Sequence, residues 1–248
     1  MEQLAALVIE NDPTDDIRRL GDWLTSAGLT LSVIRPHAGE ALPETLDGYA
    51  ALIVMGGEQN AYDTGIEWFP RLESLLRKAV RYRVPTLGVC LGGQLLAQAL
   101  GGRVEPSETG LEVGAKLVAK RDIAAEDPLF GPIPFAPDVI QYHTDEITML
   151  PADAVLLAAS THYPHQAFRV GDRAWGIQFH IETDTEMFAS WADGLDGPEE
   201  LVEELVAAVD ERQEDVREVW QPFAARFADI VLGRTVEGTR PSLPLIAR

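Results

Sequence analysis

The chain's one cysteine, Cys90, lies in Val84-Pro-Thr-Leu-Gly-Val-Cys-Leu-Gly-Gly-Gln-Leu-Leu-Ala-Gln-Ala-Leu-Gly101. That stretch reads as a short buried strand, a glycine-flanked corner and an apolar helix. Gly88 and Gly92 stand two residues before and after the cysteine, the G-x-C-x-G form of a nucleophile elbow, where backbone must approach backbone without a Cβ between. A thiol at a helix start meets the positive end of the dipole, which favours thiolate, the form that attacks carbonyl carbon. A lone cysteine also occurs as a small buried hydrophobe. Such a residue has no need of glycine on both sides, and a partner base decides between the two readings.

Five histidines are candidates for that base: His37, His143, His162, His165 and His180. His180 has the best setting. It closes the apolar run Ala174-Trp-Gly-Ile-Gln-Phe179, so it is expected at a strand end, on the same carboxyl edge of a sheet as Cys90. Glu182 follows two residues on. In extended backbone such positions point to one side, so the carboxylate can accept one ring N–H while the other nitrogen faces the thiol. Nucleophile, base and orienting acid are recognised by role and geometry, whatever their order. Other polar groupings read more plainly. His162-Tyr-Pro-His165 has no third ligand at sensible spacing and is read as a surface loop, so no metal is expected. Asp15-Asp16 is read as a helix first turn carrying favourable negative charge. Gly56-Gly57 is no phosphate loop, because no G-K-S/T follows.

Alternating strands and helices must position these groups. Leu4 to Ile9 reads as a buried strand, with Asp12-Pro13 as N-cap and first residue of a helix carrying Ile17, Leu20, Leu24 and Ala27 and stopped by Gly28. Leu29 to Ile34 and Ala50 to Met55 are further strands, continuously apolar as parallel strands covered on both faces are. A loop from Gly56 to Gly65 precedes a helix over about 70–82. After Gly102 the texture changes to short strands, at 112–119, 139–142, 155–160, 166–170 and 174–179, with a proline-rich loop around Pro128, Pro132, Pro134 and Pro137. Thr183 to Trp191 reads as a helix. From Pro198 an amphipathic stripe of Leu201, Leu205, Val209, Val216, Trp220, Phe223 and Phe227 predicts two acidic helices divided by Pro222, the second ended by Gly233. The expected fold is α/β: a doubly wound, mostly parallel sheet with helices on both faces, smaller antiparallel strands and an added C-terminal helical segment. The expected organisation is a main domain over 1–194, an acidic helical extension over 195–234 and a loose tail over 235–248.

A net charge of −20 argues against a nucleic-acid partner and against anionic membrane, since no basic excess faces phosphate. A single cysteine excludes an intrachain disulfide framework. The first ten residues carry acid and only a short apolar stretch, and no apolar run reaches membrane-spanning length, so a cytoplasmic location is expected.

The motifs Gly88-Val-Cys90-Leu-Gly92-Gly-Gln94, Gly56-Gly57, Tyr142-His143-Thr144-Asp145 and Gln178-Phe179-His180-Ile181-Glu182 resemble class I glutamine amidotransferases. The likeness is to stand-alone proteins similar to the glutaminase domain of GMP synthetase and covers about residues 4–192. It implies hydrolysis of a γ-glutamyl amide: Cys90 attacks the γ-carboxamide, His180 protonates departing ammonia and then activates water, and Glu182 orients His180. It further implies an oxyanion hole from the N–H groups of Gly57 and Leu91, with Gln94, Tyr142, His143 and Asp145 lining the substrate pocket. No cofactor is implied. The implied partners are glutamine or another γ-glutamyl small molecule, and a synthetase subunit receiving ammonia. A γ-glutamyl peptidase acting on a larger compound, or a non-catalytic regulatory protein keeping the fold, remain the other readings. Two residues depart from the family pattern: Ile181 stands where proline is usual between histidine and glutamate, and Glu58 where the loop commonly reads Gly-Gly-Pro.

Overall fold

The computed structural model describes residues 5–234. Its first half alternates β1 (Ala5–Ile9), α1 (Arg18–Ser26), β2 (Leu31–Ile34), β3 (Tyr49–Val54), α2 (Phe69–Tyr82), β4 (Thr86–Val89) and α3 (Leu91–Ala99). Short strands follow: β5 (Arg103–Pro106), β6 (Glu112–Leu117), β7 (Ala119–Lys120), β8 (Asp138–His143), β9 (Asp145–Met149), β10 (Ala154–Ala159), β11 (Ala167–Val170) and β12 (Ala174–Ile177). Two helices, α4 (Thr185–Ala192) and α5 (Glu199–Val231), complete it.

The main sheet runs β2-β1-β3-β4-β12-β11-β10-β7. Its first five strands are parallel, and β12, β11, β10 and β7 pair antiparallel. Two-stranded antiparallel pairs, β5 with β9 and β6 with β8, lie beside it. The period-two alternation of strand side chains divides the core between two faces. Ala6, Val8, Ile53, Val89 and Ile177 meet α1, α4 and α5 on one side, and Leu7, Ile9, Leu52 and Val54 meet α2 and α3 on the other. Continuous apolar strands are therefore buried twice over, as a mixed, mostly parallel sheet requires. Register pairs Ile9 with Val54, Val54 with Gly88, and Val89 with Ile177. Four carboxyl ends thus lie side by side.

Three expectations change. Asp12 does not cap α1, which begins at Arg18; its carboxylate accepts from the Thr14 N–H at 2.8 Å and hydroxyl at 2.7 Å, closing a turn. Asp15 and Asp16 consequently precede the helix rather than opening it. Pro222 does not divide the C-terminal segment: α5 is one helix through it. Pro222 lies exposed, while Trp220 and Phe223 on either side are fully buried, packed edge-on or tilted against each other and against Phe179 and Phe130. Each buried aromatic contributes about 2–3 kcal/mol, so the pair outweighs the roughly 3 kcal/mol cost of an interior proline. Gly233, at φ +66°, does end the helix. The expected tail over 235–248 lies outside the described residues. No helix among them is long and apolar enough to cross a membrane.

Candidate active site

Each of the four adjacent carboxyl ends delivers polar groups into one cleft. The loop after β1 brings Asp15, the loop after β3 brings Gly57 and Glu58, the β4–α3 corner brings Cys90 and Leu91, and the segment after β12 brings His180. The cleft encloses about 470 Å³. Gln94, Tyr142, His143 and Asp145 line it too, so every residue expected to touch substrate shares one cavity with Cys90.

Cys90 holds φ +50° and ψ −110°, a backbone conformation that costs a non-glycine residue strain and is imposed by its surroundings. Those surroundings are backbone. A Cβ on Gly92 would lie 2.0 Å from the Val54 carbonyl oxygen, and one on Gly88 2.5 Å from the Gly92 carbonyl oxygen. The Cys90 N–H donates to Ile177 O at 2.8 Å, tying the corner to the strand that leads to His180. Leu91 is the first residue of α3, so its N–H is one of those a helix leaves without an internal acceptor.

His180 follows a bend, since β12 ends at Ile177 and residues 178–182 are no longer strand. Reciprocal backbone bonds to Ile140 on β8 hold it instead, with its N–H donating to Ile140 O at 2.8 Å. Its Nδ1 lies 2.6 Å from Glu182 Oε1, and both side chains are buried. Glu182 Oε2 in turn accepts from the Ile181 N–H at 2.9 Å, a bond that proline at that position could not donate. Burial alone would loosen the imidazole's proton; Glu182, and then the nearby Cys90 sulfur, outweigh it and hold the ring's pKa well above the ordinary histidine value. With Nδ1 committed to Glu182, Nε2 is the nitrogen left for proton exchange with sulfur or leaving group.

A family model described as glutamine amidotransferase class-I matches residues 18–189. The chain belongs to the class I glutamine amidotransferases. A GMP synthase (glutamine-hydrolyzing) of Porphyromonas gingivalis is 33% identical over 57% of this chain and 26% of its own length; the chain spans about a quarter of that relative. Gamma-glutamyl peptidase 5 of Arabidopsis thaliana is 30% identical over 73% of this chain and 74% of its own. The crystal structure of a glutamine amido transferase from Methylobacillus flagellatus covers both chains completely, with a TM-score of 0.81 at 25% identity.

Within this amidotransferase fold, the residues expected on the substrate side differ in how free they are. Gln94 donates to Asp145 O at 3.3 Å and to Gln178 Oε1 at 3.1 Å, and Gln178 reaches the Cys90 sulfur at 3.7 Å. His143 has both ring nitrogens engaged, by Asp145 O at 2.9 Å and Glu112 at 3.0 Å, so it serves the wall of the cleft. The Tyr142 hydroxyl donates to Trp191 O at 2.9 Å. The Asp145 carboxylate faces the Tyr62 hydroxyl at 3.2 Å, and burial pushes its pKa up.

Asp15 was not legible as a site residue. Its Oδ1 lies 3.9 Å from His180 Nδ1 and has no hydrogen-bond partner. Burial, partly opposed by His180 and reinforced by Glu182, raises its pKa to about 7. It fits only because residue 56 is glycine, where a Cβ would lie 2.2 Å from Asp15 Oδ2. Arg19, too, escaped the sequence reading. It donates to Ile181 O at 3.0 Å, to Thr183 O at 2.5 Å and to Gln213 on α5 at 2.6 Å, bracing the segment that carries His180 and Glu182.

Proposed function

We propose that this amidotransferase hydrolyses a γ-glutamyl amide through a cysteinyl thioester, with Cys90 as nucleophile, His180 as proton carrier and Glu182 as its orienting acid. The carrying observation is the 2.6 Å contact of a buried His180 with Glu182 on the wall of the cleft that Cys90 enters from a strained elbow. The sulfur, as thiolate, attacks the γ-carbonyl carbon. The C–N bond breaks, and the departing nitrogen takes the imidazolium proton as ammonia or an amine. Neutral His180 then draws a proton from water, whose oxygen attacks the thioester, and glutamate leaves as sulfur and imidazolium are restored. The N–H groups of Gly57 and Leu91 serve the oxyanion formed at each step. Among the described residues the nucleophile, base and acid suffice for these steps, which call on no cofactor. Residues 195–234 are read as an extension built onto the unit that carries the site.

Free glutamine, with ammonia passing to a synthetase partner, is the first substrate reading. A larger γ-glutamyl compound is the second, favoured by a cleft with room beyond one amino acid and by the extent of the match to a relative named as a γ-glutamyl peptidase. The test is mass detection of a glutamyl adduct on Cys90 with a panel of γ-glutamyl substrates, alongside turnover by Cys90→Ala. Loss of a covalent nucleophile lowers turnover by about 10⁴-fold or more. Near-full activity in that variant overturns the mechanism, and a sulfur that no γ-glutamyl compound acylates supports a regulatory role instead.

A further inference from the structure

Acid and aromatic groups line the cleft, and no lysine or arginine of the described residues does. Its three carboxylates are Asp15, Glu58 and Asp145. Asp15 is the sealed member of this set, its Oδ1 buried without a hydrogen-bond partner 3.9 Å from His180 Nδ1, and the exposed Glu58 is the one that meets solvent. The aromatic part is held rigidly. The Trp191 indole N–H donates to Thr14 O at 3.0 Å, and its carbonyl accepts from the Tyr142 hydroxyl. The Trp191 ring centroid lies 4.7 Å from that of His180 and 5.6 Å from that of Tyr142. Glu58, exposed at the mouth, is near enough to Tyr142 for its charge to reinforce the effect of burial in raising the phenol's pKa.

Direction follows from the chemistry. In the first step the leaving nitrogen takes the His180 proton, so the leaving group departs along the wall that continues from His180 to Trp191 and Tyr142. Aromatic faces beside a carboxylate recognise ammonium: the ring quadrupole and the acid both attract positive charge, and both repel an anion. Ammonia is too small to reach such a wall while its nitrogen is still bonded to the γ-carbon.

We propose that the leaving group is an amine carrying a second, positively charged nitrogen, seated against Trp191 and Tyr142 with Glu58 as its counter-charge, so that the substrate class is a γ-glutamyl amide of a diamine or polyamine. This rests on the γ-glutamyl hydrolase reading and specifies its substrate. Hydrolysis of such an amide consumes one water and yields glutamate and the free amine, with no oxidant or second substrate. Glu58, the departure from the family loop, becomes a specificity residue.

The experiment compares kcat/KM for the γ-glutamyl amides of 1,4-diaminobutane, butylamine and 4-aminobutyrate, which differ in terminal charge at closely similar length. The cationic amide is expected to exceed the neutral one by about 10-fold and the anionic one by more, from a cation–π contact together with one ion pair. In Glu58→Gln the cationic-to-neutral ratio is expected to fall several-fold, and in Glu58→Lys the preference for cation over anion to reverse. Trp191→Leu is expected to lower the same ratio. Raising the salt concentration should compress it, because Glu58 faces solvent. Equal turnover of the three amides, a preference for the anion, or a ratio that none of the three variants moves would overturn the inference while leaving the hydrolase standing. Failure of all three to acylate Cys90 would overturn both.

Discussion

Asp15 offers a quantitative probe of the site, because its ionisation is the most heavily opposed by the fold. In the folded protein its pKa is about 7, against 3.8 for an exposed aspartate. The native state therefore binds this proton more tightly than the unfolded chain, and between those values folding takes up a proton. Stability must fall as pH rises across that window. At 1.36 kcal/mol per unit, the full penalty is about 4 kcal/mol, of which about 2 kcal/mol develops between pH 5.5 and 7. His180 acts in the same sense, since its raised value contributes stability at low pH that is lost as pH rises through it, but it is present in both proteins under comparison. Asp15→Asn keeps the shape and cannot ionise. Urea unfolding at intervals from pH 5.5 to 8.5 should show the wild type losing about 2 kcal/mol more than the variant over that range. The alkaline limb of kcat/KM should also move to lower pH in the variant, because one negative charge beside the imidazolium is gone. Parallel stability curves for the two proteins would refute the assignment of a buried, reluctantly ionised carboxyl at this position.

Two further substitutions test the frame around Cys90 and His180. Ile181→Pro restores the usual family residue but deletes the N–H that Glu182 Oε2 accepts; a bond to a charged acceptor contributes about 1.5–3 kcal/mol, so kcat should drop about 10-fold or more with KM little changed, and steady-state kinetics with an unchanged kcat would show that another group holds the carboxylate. Gly92→Ala drives a Cβ to within 2.0 Å of the Val54 carbonyl oxygen; the expected result is a melting midpoint lower by at least about 6 °C, or no folded protein, whereas wild-type melting would mean the elbow has slack.

The elements that sequence reading caught are those whose signal is local. β1, β3, β4 and β12 announce themselves as apolar runs between turn residues, and the elbow as glycines two residues either side of a cysteine. The i, i+2 spacing predicts the His180–Glu182 contact from extended backbone; the contact is made at 2.6 Å, although the segment is a bend held by β8. What escaped depends on distant parts of the chain. β5 and β9 are short, charged and partly exposed, and each is a strand only because the other lies beside it. Pro222 signals a break in isolation, and the aromatic packing that overrides it comes from residues 130 and 179. Asp15 in D-P-T-D-D looks like any helix start, and its burial follows from the approach of Gly56 and His180 across the sheet edge.

The same dependence on distance explains why a helix beyond the matched residues bears on the chemistry. His180 and Glu182 leave regular structure at Ile177, so their segment has only the single bridge from His180 to Ile140 along which to be fixed. Beyond that bridge, its backbone carbonyls at 181 and 183 are held by Arg19 of α1, whose guanidinium also reaches Gln213 of α5. Burial lowers the guanidinium's pKa, with Glu182 and then Asp184 opposing the loss. Phe179, immediately before His180, packs on Trp220 of the same helix with ring centroids 5.0 Å apart. His180 is thus flanked by two contacts that lead to α5, directly through the Phe179 ring and indirectly through Arg19, which Gln213 holds. Strain at Cys90 can persist only if its surroundings over-determine it. β8, Arg19 and α5 together supply the corresponding constraint on His180, so Cys90 and His180 are each placed by packing rather than by the contact between them.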